Sequence, residues 1–151
     1  MNQIGVAVLL LCCYASTLAY IIEDCGSEGG KFNDMTVSTC DKSEEKCSFI
    51  KGVDINVSIK FTPNKDISKL EMLLYGILYD VTVPFPAQKP DVCNDPDSGI
   101  TCPLKKDEEV EYKTTFVLDK QIPPVSVDVM VEFVNEEKEK IICIRYPVKL
   151  K

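Results

Sequence analysis

Residues 53–61 read VDINVSIKF. Val53, Ile55, Val57, Ile59 and Phe61 fall on one side of an extended chain, and Asp54, Asn56, Ser58 and Lys60 on the other. That period of two is the signature of a strand with one face buried and one in water. The same alternation returns in EVEYKTTFVL at 109–118, which aligns Val110, Tyr112, Thr114, Phe116 and Leu118. It returns again in VSVDVMVEF at 125–133, which aligns Val125, Val127, Val129, Val131 and Phe133. Weaker strand candidates lie at 32–38, 70–83 and 141–150. In SKLEMLLYGILY at 68–79 the apolar density would also suit a helix, but Gly76 and the nearby β-branched residues favour a strand.

Between these runs lie TPNKD at 62–66, KPDVCNDPDSG at 89–99, KQIPP at 120–124 and NEEKEK at 135–140, all rich in turn formers. Short alternating strands separated in this way predict an all-β, immunoglobulin-like antiparallel sandwich of about seven strands.

The chain opens on an apolar run, Ile4 to Leu11, and Ser16-Thr17-Leu18-Ala19 supplies small residues before Tyr20. Residues 1–19 are therefore expected to be a cleaved secretory signal, leaving 20–151 as one domain in an oxidising compartment. With a net charge of −7 and no basic stripe, nucleic acid is an unsuitable partner.

Of eight cysteines, Cys12 and Cys13 would leave with the signal, and Cys25, Cys40, Cys47, Cys93, Cys102 and Cys143 would stay. An even set in an exported chain predicts three disulfides. Loop-closure entropy favours the near neighbours Cys40–Cys47 and Cys93–Cys102, which leaves Cys25 for Cys143. That long loop would contribute roughly 4 to 5 kcal/mol by chain entropy. A zinc site is disfavoured because the sequence has neither CxxC nor histidine.

The lack of any histidine also closes Ser-His, Cys-His and His-metal mechanisms. Glu44-Glu45, Glu108-Glu109 and Glu136-Glu137 are carboxylate pairs, but each lies in a lysine-flanked polar run that reads as solvated surface rather than an acid/base dyad. Asn56-Val57-Ser58 is a glycosylation sequon, and parity puts Asn56 on the wet face of its strand.

VPFP at 83–86 admits two readings. Pro84 and Pro86 remove backbone donors and extend the residues before them, so the segment could guard a sheet edge with Phe85 as ordinary packing. Alternatively, Phe85 could stand without ladder bonds at a gap between two sheets.

YGILYDVTVPFP at 75–86, followed by the Cys93 to Cys102 loop and GITCPLKKDEEVEY at 99–112, resembles the ML (lipid-recognition) family. DCG at 24–26, TVSTC at 36–40, INVS at 55–58, VEF at 131–133 and ICIRYPV at 142–148 extend the resemblance over nearly all of 20–151. It implies a sandwich without enzymatic activity or cofactor whose sheets part around an apolar cavity, and the same three disulfides. It places Phe85 at the cavity mouth with Val83 beside it. Val37, Ile55, Phe116, Leu118, Val127, Val129, Val131, Phe133 and Ile144 would line the interior, and Ile122-Pro123-Pro124 stands where a mouth tyrosine occurs in the family. Cholesterol-carrying members have tryptophans where Phe133 and Ile144 stand, and this chain has none. The implied ligand is thus a hydrophobic small molecule, whether sterol, fatty acid or other lipid.

The resemblance further implies a secreted or endosome–lysosome monomer that touches membranes, or a membrane sterol transporter, only transiently. Lys105-Lys106 would be near the entrance and available to anionic lipid. The competing expectation is an immune-type recognition co-receptor, or an adhesion module, on the same fold.

Overall fold

A computed structural model describes residues 19–151; the signal assigned to 1–19 lies outside these residues except for Ala19. Nine strands run in the order β1 (Glu23–Asp24), β2 (Gly30–Val37), β3 (Cys47–Phe49), β4 (Asp54–Pro63), β5 (Glu71–Leu78), β6 (Val81–Phe85), β7 (Val110–Val117), β8 (Ser126–Val134) and β9 (Lys140–Leu150). They form two sheets. One has the order β1-β9-β8-β5-β6, with β3 running parallel to the end of β9. The other is β2-β4-β7, antiparallel throughout.

The sandwich anticipated from alternation is present, and its strand count exceeds seven for two reasons. β1 and β3 are too short to show a period. The run expected as one strand over 70–83 is a hairpin, because Tyr79 and Asp80 both take positive φ, 48° and 63°. Two successive left-handed residues make the tight turn whose twist suits paired strands. Val53 also departs from its expected place, since β4 begins at Asp54 and Val53 is exposed in the preceding turn.

The VPFP segment does extend a sheet. β6 pairs with β5 through Leu74↔Phe85, Tyr75↔Pro84 and Gly76↔Val83. It ends its sheet, so a proline nitrogen directed away from β5 leaves no ladder bond unmade. Phe85 is therefore held by pairing, contrary to the reading that left it without ladder bonds.

Register identifies the inner faces. Phe61 of β4 stacks on Phe133 of β8, with centroids 5.3 Å apart, so both side chains lie between the sheets. From Phe133, parity and pairing carry the inner face to Val131, Val129 and Val127 on β8, to Ile144 and Tyr146 on β9, and to Leu74 and Gly76 on β5. From Phe61 they carry it to Ile55 on β4 and to Tyr112 and Phe116 on β7.

Three disulfides, Cys25–Cys143, Cys40–Cys47 and Cys93–Cys102, tie β1's exit to β9, the β2–β3 link and the 93–102 loop.

Candidate functional site

The space between the sheets is closed at one end and loosens toward the other. Tyr112 meets Phe133 edge-on at 5.0 Å, next to the Phe61 stack, and all three rings are fully buried. Moving along β8 away from that cluster, Val131 is buried but Val129 and Val127 are only half-buried. β7 shows the same gradient, from buried Tyr112 to half-buried Phe116.

The two long sides also differ. β2 of the small sheet packs against β9 of the large one, and no approach of that extent joins β5 or β6 to β7 among the described residues. Along that looser side β6 turns Val81, Val83 and Phe85 inward by register, yet they are 60%, 46% and 55% exposed. Three consecutive inward-facing apolar side chains left in contact with water mark a seam where the sheets part. A second aromatic group bridges the interior beside it: Phe49 meets Phe116 at 5.5 Å and Tyr146 at 6.4 Å.

Gly76 explains how Phe85 is held. A Cβ on Gly76 would lie 3.1 Å from Cε2 and 3.5 Å from Cδ2 of Phe85. The ring therefore lies over the bare backbone of the neighbouring strand, a cross-strand glycine–aromatic arrangement that fixes a bulky side chain on an edge.

The expected lining residues distribute as follows. Val37, Ile55, Val131, Phe133 and Ile144 are buried, and Phe116, Leu118, Val127 and Val129 are half-buried. The Leu118 carbonyl accepts from the Gly52 amide at 2.9 Å. In the 118–125 loop Ile122 is half-buried, its carbonyl accepting from Lys51 Nζ at 2.8 Å, and Pro123 is exposed. Sequence reasoning passed over Leu74, Gly76, Val81, Tyr112, Phe49 and Tyr146 as site residues. The alternation Ile142, Ile144, Tyr146, Val148 would have found Tyr146. On β5, Leu73, Tyr75 and Ile77 on the outer face hide the period.

Lys105-Lys106 is not beside this seam. The Lys106 amide bonds to Asp66, and Leu104 bridges to Ile67, next to β4's end at the side closed by Phe61. Its local pairing with the 62–67 segment carries it there.

Polar chemistry is kept outside. The inward positions of β4, β5, β7, β8 and β9 carry no charged side chain. Two buried carboxylates are each held by a lysine: Asp95 by Lys89 at 3.0 Å and Glu132 by Lys140 at 3.0 Å. On the outer face Arg145 donates to Asp128 from Nε at 2.9 Å and Nη2 at 2.6 Å. Surface clefts of about 210 and 300 Å³ lie over that pair, outside the seam. The three glutamate pairs are exposed or on loop surfaces. Asn56 is exposed on β4, and its Oδ1 accepts from Thr115 Oγ1 at 2.7 Å.

Comparison with known proteins bears on the fold. The ML domain family model matches residues 19–150. An ecdysteroid-regulated 16 kDa protein of Manduca sexta is 35% identical over 97% of this chain and 97% of its own length. An NPC intracellular cholesterol transporter 2 homolog of Drosophila melanogaster is 32% identical over 96% of this chain and 95% of its own. The crystal structure of a Niemann-Pick type C2 protein from the Japanese carpenter ant superposes with a TM-score of 0.85 at 55% identity, covering 87% of this chain and 99% of that one.

Proposed function

The chain belongs to the ML-domain family, and on that premise we propose that it is a non-enzymatic carrier that takes a hydrophobic lipid between its two sheets and releases it elsewhere. The observation that carries this reading is the row Val81, Val83 and Phe85, facing inward yet open to water on the side where the sheets approach each other less. Such a row costs free energy in the empty protein and is relieved by an apolar guest. A ligand hiding about 400 Å² of apolar surface would gain on the order of 10 kcal/mol before lost motion is subtracted. That leaves binding at about micromolar or tighter.

Phe85 gates the seam, and the inner residues from Ile55 to Ile144 form the walls. β6 is the element that yields, since it has a neighbour on one side only. The relatives named as cholesterol transporters support a sterol or other lipid as cargo. In this reading residues 1–19 are removed on secretion, and the mature protein works outside the cell or in the endosome–lysosome lumen. Tyr79, 90% exposed at the hairpin tip beside Val81, supports brief contact with a membrane during exchange.

Mass spectrometry of organic extracts from the secreted protein tests the proposal. A co-purifying lipid is expected; none, together with no binding of a fluorescent sterol or fatty acid, would remove it.

A further inference from the structure

Each sheet ends in strands with one side unpaired, which invites another chain unless something blocks it. β6 has Pro84, β2 has the irregularity between Phe32 and Asp34 together with the charges of Lys31 and Asp34, and β1 is two residues long. β7 differs. Its Lys113 amide donates to the Ser98 carbonyl at 2.8 Å, so that residue's main chain points away from β4, and alternation turns Thr115 and Val117 the same way. Among the described residues no main-chain bond reaches Thr115 or Val117 from that side. The stretch 114–118 holds no charge, glycine or proline, Thr115 is exposed, and Val117 is 49% exposed. Uncharged β-branched and aromatic edges of this kind pair readily with copies of themselves.

Asn56, the first residue of the sequon, stands directly opposite Thr115. Its amide donates to Ser38 Oγ at 3.0 Å and its carbonyl accepts from the Ser38 amide at 2.9 Å, so its main chain faces the β2 side. The Asn56–Thr115 pair is therefore of the kind without ladder bonds, in which side chains come closest. They do meet: Thr115 Oγ1 donates to Asn56 Oδ1 at 2.7 Å, which draws the asparagine toward the edge strand. A sugar joined to this side chain starts beside Thr115, with Val117 as the diagonal neighbour. Resting on the secreted reading above and going beyond lipid carriage, we propose that a glycan on Asn56 is the guard of the β7 edge. It covers the outer side of Thr115 and Val117 and keeps β7 from pairing with β7 of a second copy of this chain. Bulk and hydration suit it to that task, since it blocks an incoming strand without altering the ladder between β4 and β7.

Secretion from a eukaryotic cell, followed by sedimentation velocity at rising concentration, tests the proposal. Glycosylated wild type is expected to stay monomeric. Asn56→Gln and Ser58→Ala each destroy the sequon, the second with Asn56 in place, and both should tighten self-association by about tenfold or more, the worth of one net main-chain hydrogen bond. Enzymatic release of the glycan from folded wild type should do the same, which separates the guard from any fault in folding a variant. Adding Val117→Lys to Asn56→Gln should return the monomer, because a lysine on an edge resists pairing. Wild type secreted without a glycan at Asn56, unglycosylated protein that remains monomeric, or association that survives Val117→Lys would overturn the guard and leave lipid carriage standing. Retention of wild type inside the cell would overturn the secreted reading on which it rests.

Discussion

Replacing Phe85 by alanine separates binding from folding. Phe85 is 55% exposed, so of roughly 200 Å² for a phenylalanine about 110 Å² remains for a guest to cover. At ~25 cal/mol per Å² full coverage is worth about 2.7 kcal/mol, or about 100-fold in Kd, and half coverage about 10-fold. The rest of the side chain, covered already by Gly76 and its surroundings, sets an upper bound of about 2 kcal/mol on the loss of folding stability. Phe85→Ala should therefore weaken displacement of a fluorescent fatty acid or sterol by about 10- to 100-fold, while thermal unfolding stays cooperative. Val117→Ala supplies the matched control, since Val117 is 49% exposed on β7 of the other sheet but faces outward. Equal affinity in wild type and Phe85→Ala, with both folded, would refute the gate.

Removing the long disulfide by Cys25→Ser with Cys143→Ser opens a loop of 118 residues in sequence separation. Chemical denaturation should report a loss of about 2 to 5 kcal/mol; a loss below that range would mean that β1 and β9 are held by other contacts. Several carboxyls titrate below their ordinary values of 3.8 and 4.5 in the folded state: Asp41 by bonds from Ser43, Glu111 from Ser58, Glu136 from Ser68 and Glu139 from Lys65. Groups depressed by folding stabilise above their unfolded pKa and lose that contribution as pH falls through the folded one. The melting temperature should thus hold from pH 7 to pH 5 and fall below about 4.5; a drop between pH 7 and 5 would contradict the assignment. We further propose that Asn56 carries a glycan, so Asn56→Gln expressed in a secreting eukaryotic cell should lower the mass by one glycan, and an unchanged mass would exclude occupancy.

Much of the fold was legible because β4 and β7 alternate covered and open faces, which writes a period of two into the sequence, and β8 keeps valines and Phe133 at every second position although Glu132 and Val134 on its other face are buried too. β5 was harder to read, as Leu73, Tyr75 and Ile77 give its outer face the same apolar character as its inner one. The hairpin at Tyr79-Asp80 carries neither glycine nor asparagine, so its left-handed backbone left little mark. For the site, parity located the inner residues but could not distinguish a sealed stretch from a loose one. That difference depends on which edges meet, and β2 approaching β9 more extensively than β6 approaches β7 is a tertiary fact. Gly76 reads in sequence only as a poor helix residue; its diagonal contact with the Phe85 ring requires the β5–β6 register.

Because the chain contains no tryptophan, one introduced indole reports its own surroundings alone. Phe116→Trp and Val117→Trp place it at adjacent positions on opposite faces of β7, the first inward beside the seam and the second toward solvent. If the cargo lodges between the sheets, a brominated fatty acid will quench the inward indole strongly and the outward one little. Equal quenching of both, or quenching of the outward indole alone, would show that lipid does not bind between the sheets.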